Sequence, residues 1–294
     1  MEPGPIIGIV GGTGVYDLEG LTDTAWRTVA SPFGAPSDQL LFGRLGDHRV
    51  VFLPRHGRGH RIPPHEINFL ANVDALKRAG ATTLVSVSAV GSLREDLPPG
   101  TFVVVDQFVD RTLRRPKTFF GTGLVAHVSM ATPTCARLGD AVVAAGAELG
   151  LAMRRGGTYL AMEGPQFSTR AESDVHRTLG CDVVGMTNLP EAKLAREAEL
   201  CYATVAMVTD YDCWHDDHGA VTIADVLRVM HANSEAARRL LRAVVPRVGA
   251  HDGLCPHGCD RALDAAIVTA PAFRDAAVCA RLDAIAGRVL GPSP

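Results

Sequence analysis

Residues Ala203 to Trp214 read ATVAMVTDYDCW, an apolar and β-branched run that ends in two carboxylates one residue apart. The run predicts a buried β-strand, because residues of this kind pack well within a sheet. Asp210 and Asp212 would then lie where the strand leaves the sheet. In open α/β sheets ligands bind beyond the carboxyl ends of the strands, which makes the pair candidate site residues. The alternative is an Asp-initiated turn that leads into the next helix.

Composition restricts the classes of protein to which the chain can belong. It has 294 residues, of which 47% are hydrophobic, and a formal net charge of −3. This length suits one large α/β domain over residues 1–294, with 246–294 as a less certain tail. A slightly acidic chain with scattered basic residues is not expected to bind nucleic acid. We expect no signal peptide, no membrane interaction and a cytoplasmic location.

The seven cysteines are spread mostly singly through apolar segments. An odd number of separated cysteines favours buried reduced thiols over a disulfide framework. Cys255, His257 and Cys259 lie together near the end of the chain, but Cys-x3-Cys with a histidine between is not a standard zinc spacing. We therefore expect plain thiols there, with a zinc site and a disulfide as the alternatives.

A glycine-rich loop, Gly11-Gly12-Thr13-Gly14, follows the first predicted strand, Ile6 to Val10. Glycines allow backbone N–H groups to point at an anion, and the Thr13 hydroxyl adds a donor. The loop does not match the dinucleotide-binding fingerprint, because Asp17 stands where the third glycine would be. It could hold phosphate, and the alternative is a purely structural turn.

Polar or flexible residues recur at the ends of further predicted strands. Strands alternate with amphipathic helices, such as the one predicted over Glu66 to Ala79, and this alternation predicts an α/β fold. Arginine suits phosphate or carboxylate because its planar guanidinium donates through two nitrogens. The alternative for the segment that contains Arg55 is a solvated basic loop, and the alternative for Met186 is core packing. These strand ends carry Arg55-His56, Ser88-Ala89 and Met186-Thr187.

Three other segments carry local signals. Thr169 and Glu172 have the spacing of a capping box, which predicts that a helix begins there. Residues 111–123 combine basic, aromatic and glycine residues, which predicts an exposed loop or a subunit contact. The Ala-rich segment that ends near Leu290 predicts one final helix.

In this order the motifs resemble those of the purine nucleoside phosphorylase family, most closely its 5′-methylthioadenosine phosphorylase branch. The resemblance covers about residues 6 to 245. Gln166 departs from it, because arginine is common there. The motifs that carry the resemblance are Gly11-Gly12-Thr13-Gly14, Arg55-His56-Gly57, Ser88-Ala89-Val90-Gly91-Ser92, residues 163–172 (EGPQFSTRAE), Gly185-Met186-Thr187 and residues 209–214 (TDYDCW).

The resemblance implies a mixed central sheet flanked by helices on both sides and a homotrimer. It also implies phosphorolysis of S-methyl-5′-thioadenosine to adenine and 5-methylthioribose 1-phosphate in purine and methionine salvage, with inorganic phosphate as co-substrate and no cofactor or metal. Phosphate binding would belong to Thr13, Arg55, His56, Ser88, the backbone of Ala89, and Thr187. Nucleoside binding would belong to Met186, Phe167, Ser168, Asp210, Asp212 and Ile223, with His127 supplied by a neighbouring subunit, and Asp210 would be the catalytic acid.

The two carboxyl groups favour adenine over other bases. A protonated Asp210 can donate to purine N7, and Asp212 can accept from the 6-amino group of adenine. A 6-oxopurine would instead place its 6-oxygen, an acceptor, against the carboxylate of Asp212, which is also an acceptor. The resemblance implies asparagine in place of Asp210 in enzymes that cleave inosine or methylthioinosine. The alternatives are phosphorolysis of methylthioinosine or other 6-oxopurine nucleosides, a nucleosidase that uses water, and a non-enzymatic nucleotide-binding module.

Overall fold

The structure is a computed structural model that describes residues 5–12, 18–215, 223–249 and 253–291, with the backbone alone for 223–227. Two predicted site residues therefore lie outside the described residues, Thr13 entirely and Ile223 as a side chain. Within the described part of the chain, no helix combines the length and the apolar character that crossing a membrane requires.

The described strands form one mixed sheet. Its continuous path runs β2-β3-β4-β1-β5-β10-β9-β7, while β11 pairs with β5 and β6, and β6 with β8. The strands are β1 (Ile6–Gly11), β2 (Leu21–Arg27), β3 (Leu40–Leu45), β4 (His48–Pro54), β5 (Ala81–Ser92), β6 (Phe102–Val104), β7 (Gln107–Arg111), β8 (Met153–Arg155), β9 (Thr158–Met162), β10 (Val183–Gly185) and β11 (Cys201–Asp210).

Strand β5 is the centre of the sheet. It runs parallel to β1 on one side and to β11 on the other, and its last residues pair antiparallel with β10. Because β4 is parallel to β1, the carboxyl ends of β4, β1, β5 and β11 all lie at one edge. The short β10 lies beside the last residues of β5, since Val184 pairs with Gly91. Residues that follow these strands are therefore brought together.

Helices pack on both faces of the sheet, as predicted. Along β11 the side chains alternate between faces, because successive residues of a strand point in opposite directions. Tyr202 and Ala206 belong to a core shared with α1, α4 and α7, whereas Val205 belongs to a second core shared with α2 and α5. The helices are α1 (Phe69–Arg78), α2 (Ala136–Glu148), α3 (Arg170–Thr178), α4 (Asn188–Glu197), α5 (Ile223–Gly249), α6 (Ala276–Arg281) and α7 (Asp283–Leu290).

Of two predictions made from local sequence patterns, one is confirmed and one was wrong. The capping box is confirmed, because the Thr169 side chain accepts from the Glu172 N–H and the Glu172 side chain accepts from the Thr169 N–H. The prediction of one final helix was wrong, since the segment forms α6 and α7, which meet at Leu282. Leu282 is fully buried, so the chain turns there to keep that side chain in the core. The single-domain boundary over 1–294 stays a prediction.

Candidate active site

A cavity of about 480 Å³ opens at the edge where β4, β5, β10 and β11 end. Apolar side chains such as Met162, Pro165, Met207 and Met230 form much of its wall. Such a pocket, with a few convergent polar groups, is typical of a small-molecule site. The predicted site residues that line it are Arg55, His56, Ser88, Ala89, Phe167, Met186, Thr187, Asp210 and Asp212.

Asp210 and Asp212 are placed by an irregularity at the end of β11. The pairing of β11 with β5 shifts register between Val208 and Asp210, so the regular strand pairing is interrupted just before the two aspartates. The two side chains can approach the strand because residue 91 is glycine. A Cβ on Gly91 would lie 2.9 Å from Asp210 Oδ1 and 3.2 Å from Asp212 Cβ, both closer than normal contact.

Burial shifts the Asp210 carboxyl group towards its neutral form. Desolvation raises the pKa of Asp210, the charge of Asp212 raises it further, and hydrogen bonds from Thr209 and from the Asp212 backbone oppose the rise. The Thr209 hydroxyl lies 2.7 Å from Asp210 Oδ2 and 3.1 Å from the Val90 carbonyl oxygen. One hydroxyl proton cannot serve two acceptors, so a proton on Asp210 Oδ2 would allow all three groups to be satisfied.

Asp212 lines the cavity and carries a buried side-chain oxygen without a partner in the described part of the chain. Its residue is only 6% exposed, and its Oδ2 atom has no hydrogen-bond partner among the described residues. A buried carboxylate oxygen without a donor is costly, so this acceptor requires a donor that the described residues do not supply. The backbone of Asp212 has a φ of 54°, a left-handed conformation that aspartate tolerates better than most residues.

Arg55 lies deeper than the sequence suggested. Its guanidinium group is 1% exposed and pairs with Glu191, with 2.9 Å between Arg55 Nε and Glu191 Oε2. It also donates to the Val87 carbonyl oxygen and to Ser86 Oγ. The alternative of a solvated basic loop is therefore wrong for this residue. Glu191, which the sequence analysis did not single out, holds the guanidinium beneath the cavity.

His56 is neutral at physiological pH. Burial lowers the pKa of His56 to about 4, although a hydrogen bond with the Ile62 backbone opposes this shift. His56 Nδ1 lies 2.9 Å from the Ile62 carbonyl oxygen, so Nδ1 carries the proton and Nε2 is an acceptor. The ring stacks on His60 with 4.1 Å between centroids, which fixes its plane.

Two hydroxyl groups meet between β5 and the start of α4. Ser88 Oγ and Thr187 Oγ1 are 3.0 Å apart and both side chains are buried at the cavity. Ala89 follows Ser88 on the same wall. Hydroxyl and backbone N–H donors of this kind suit a phosphate oxygen.

Arg115 is a buried residue beside the cavity that the sequence analysis did not single out. Residues 111–123 were predicted to form an exposed loop or a subunit contact, but Arg115 is only 5% exposed within the chain itself. It donates to Glu163 Oε1 at 3.1 Å and to the Leu189 carbonyl oxygen at 2.8 Å, and it also donates to the Met186 carbonyl oxygen. The arginine therefore ties the loop after β9 to the loop before α4, and both loops line the cavity.

Two predicted residues lie outside the cavity wall. Ser168 contacts Met162 Sδ through its hydroxyl group and accepts a hydrogen bond from Cys213 at its carbonyl oxygen. His127 lines a separate surface depression together with Phe120 and Val128. The roles given to Ser168 and His127 stay predictions.

Comparison with known proteins adds independent information. A sequence model described as the Phosphorylase superfamily matches residues 6–246. The S-methyl-5′-thioadenosine phosphorylase of Rhodospirillum rubrum is 58% identical over 98% of this chain and 98% of its own length. That of Cereibacter sphaeroides is 57% identical over 97% of this chain and 98% of its own length.

Solved structures give the same result. A methylthioadenosine phosphorylase from an Antarctic soil metagenomic library has a TM-score of 0.91 and 42% identity, covering 97% of this chain and 99% of its own. An adenosine/methylthioadenosine phosphorylase mutant from Schistosoma mansoni, in complex with adenine, has a TM-score of 0.81 and 40% identity, covering 84% of this chain and 93% of its own.

Proposed function

The chain belongs to the phosphorylase superfamily, and we propose that it catalyses phosphorolysis of S-methyl-5′-thioadenosine. The products are adenine and 5-methylthioribose 1-phosphate, so the enzyme is a pentosyltransferase of purine and methionine salvage. Inorganic phosphate is the co-substrate, and we propose no other cofactor. The names of the most similar relatives support this proposal.

One observation carries the choice of base. Asp212 lines the cavity beside Asp210, and its buried Oδ2 is an acceptor that lacks a donor among the described residues, while burial raises the pKa of the Asp210 carboxyl group. Adenine presents an N7 acceptor and a 6-amino donor on one edge. A protonated Asp210 donates to N7 and Asp212 accepts from the amino group, so each group finds its complement. A 6-oxopurine would leave Asp212 facing a second acceptor.

Proton donation by Asp210 assists departure of the base. Phosphate forms a bond to C1′ while the C1′–N9 bond breaks and its electron pair moves into the purine ring. A proton from Asp210 at N7 prevents the purine from leaving as an anion, as an acid assists the leaving group in glycoside cleavage. The sugar carries positive charge in the transition state, and the adjacent phosphate anion stabilises it.

The hydroxyl-bearing part of the cavity wall suits the phosphate. Ser88 and Thr187 offer hydroxyl donors, and the backbone of Ala89 offers an N–H group. Neutral His56 offers Nε2 as an acceptor, which complements the O–H of a singly protonated phosphate. We assign Arg55 to the same phosphate site, because it lines the cavity and its ion pair with Glu191 fixes its position. These roles are proposals that distinguish a phosphorylase from a nucleosidase.

The remaining wall suits a 5′-alkylthio group. Met186 lines the cavity, and Gly164 makes room for it, since a Cβ there would lie 2.5 Å from the Met186 sulfur. Phe167 also lines the cavity although it is 45% exposed, so a second surface could cover it. We propose that a neighbouring subunit of a homotrimer does so and contributes His127. The cytoplasmic location also remains a proposal.

A substrate panel tests the base and the 5′ group together. The purified enzyme would be given methylthioadenosine, methylthioinosine, adenosine and inosine in saturating phosphate, with products separated by chromatography. We expect the highest kcat/KM for methylthioadenosine. Equal or better turnover of methylthioinosine would contradict the role of Asp212. A preference for adenosine would contradict the apolar 5′ pocket.

A further inference from the structure

Four cysteines that are distant in sequence meet at one place in the core. The sulfur atoms of Cys135, Cys201, Cys255 and Cys259 all lie within 4.8 Å of one another. All four residues are at least 95% buried, with exposures of 1%, 5%, 2% and 1% in chain order. The exposed His257, which the sequence grouped with the last two, is not part of the cluster.

The spacing of the sulfur atoms matches a tetrahedral metal centre. A Zn–S bond of about 2.3 Å places the sulfurs of a regular tetrahedron about 3.8 Å apart. The Cys135 and Cys255 sulfurs are 3.8 Å apart, and the other separations are at most 4.8 Å. A disulfide would require two sulfurs to approach to about 2.05 Å and would pair the cysteines instead of gathering four around one point.

Each ligand comes from an element that holds it. Cys135 is the N-cap residue of α2, where the helix dipole favours a thiolate, and its N–H donates to the Tyr202 carbonyl oxygen. Cys201 is the first residue of β11. Cys255 and Cys259 flank a tight turn in which Gly258 has a φ of 66°, and the Cys255 N–H donates to Asp260 Oδ2 at 2.9 Å.

The electrostatics of the cluster suit a cation at its centre. A divalent cation would permit all four thiols to ionise. The remaining negative charge would be partly offset by Lys77, which interacts with Cys201, and by Arg196, which interacts with Cys259.

We propose that Cys135, Cys201, Cys255 and Cys259 form a structural tetrathiolate site for one Zn²⁺ ion. Binding converts four thiols and Zn²⁺ into a complex with two net negative charges and releases four protons. All four positions would be taken by protein ligands, which is typical of a structural site and leaves none for substrate.

The proposed site would anchor the tail of the chain to the catalytic strand. Cys201 begins β11 and Asp210 ends it, so the metal and the catalytic acid lie about 30 Å apart along one strand. The site joins the start of this strand to α2 and to the turn at 255–259. We therefore expect loss of metal to lower thermal stability, without a direct part in the chemistry.

The first test is the metal content and thiol state of the wild-type protein, purified in reducing buffer without chelator. We expect about one zinc per chain by plasma mass spectrometry, and seven alkylated cysteines after unfolding without reductant in the presence of a chelator. Zinc-free protein that cannot be reconstituted would overturn the proposal. Disulfides among the four cysteines, or iron in place of zinc, would also overturn it.

The second test assigns the ligands. Cys259→Ser should lose zinc and melt at a lower temperature, whereas Cys279→Ser, a half-buried cysteine outside the cluster, should keep one zinc per chain. Full zinc content in Cys259→Ser would exclude that ligand and contradict the site. If Cys259→Ser fails to fold, cobalt-substituted wild type decides the matter. Intense visible and thiolate charge-transfer absorption supports four sulfur ligands, and spectra of octahedral cobalt contradict them.

Discussion

Replacing Asp210 with asparagine would separate proton donation from the other roles of this side chain. Asparagine has nearly the same shape, and its carbonyl oxygen can still accept from the Asp212 N–H, as Asp210 Oδ1 does at 2.8 Å. Its amide can still reach the Thr209 hydroxyl, which lies 2.7 Å from Asp210 Oδ2. The amide cannot transfer a proton to the purine, so the loss of activity measures that step.

General acid catalysis contributes about 10²–10⁴-fold, which corresponds to about 2.7–5.5 kcal/mol of transition-state stabilisation. We expect Asp210→Asn to lower kcat/KM for methylthioadenosine by this factor at saturating phosphate. The loss for methylthioinosine should be smaller, because an amide N–H can donate to a 6-oxopurine. The ratio of the two kcat/KM values should therefore move towards the 6-oxopurine.

Asp212→Asn provides the matched control, since it removes one carboxylate from the same site without removing the proton donor. We expect it to keep an oxygen acceptor for the 6-amino group and to lose less activity than Asp210→Asn. Melting temperatures of both variants would show whether the fold is intact. A folded Asp210→Asn enzyme with less than tenfold loss and an unchanged substrate ratio would refute the reasoning.

Three further predictions concern pH, a glycine and a buried ion pair. Because the protonated form of Asp210 is active and burial raises its pKa, kcat/KM should fall as pH rises through that pKa, and this limb should vanish in Asp210→Asn; a shared limb would contradict the assignment. Gly91→Ala places a Cβ 2.9 Å from Asp210 Oδ1, so it should lower kcat/KM at least about tenfold. The control is Gly287→Ala, which has open space around it and should leave kcat/KM unchanged in the same assay. Arg55→Ala leaves Glu191 buried without its cation, so it should lower the free energy of unfolding by about 3–5 kcal/mol in denaturant titrations. It should also raise KM for phosphate. A free energy of unfolding and a KM equal to those of the wild type would exclude the proposed role.

The sequence predicted those parts of the fold and site in which local pattern determines structure. The apolar run before Asp210 predicted a buried strand, and β11 extends over Cys201–Asp210 with all but its last residue buried. The spacing of Thr169 and Glu172 predicted the start of α3. In each case the signal lies within a few residues, and burial or capping follows directly from it.

Local sequence patterns could not identify residues that contact each other from distant parts of the chain. Arg55 and Glu191 are 136 residues apart, and nothing near either residue identifies the other. Arg115 lies in a segment rich in basic residues, which was therefore predicted to be an exposed loop or a subunit contact, although carbonyl groups from two distant loops of the same chain accept hydrogen bonds from it. The cysteine cluster is a similar case, since the spacing of Cys255 and Cys259 alone is uninformative until the sheet brings Cys135 and Cys201 beside them.

Phosphorus NMR of the wild-type reaction tests most directly whether phosphate, and not water, takes the ribosyl carbon. Methylthioadenosine would be incubated with the enzyme with and without inorganic phosphate, and adenine would be measured in parallel. We predict a sugar 1-phosphate resonance that grows in proportion to adenine, and negligible adenine release in phosphate-free buffer. Adenine release at the same rate without phosphate, with free methylthioribose as the other product, would contradict the proposed function.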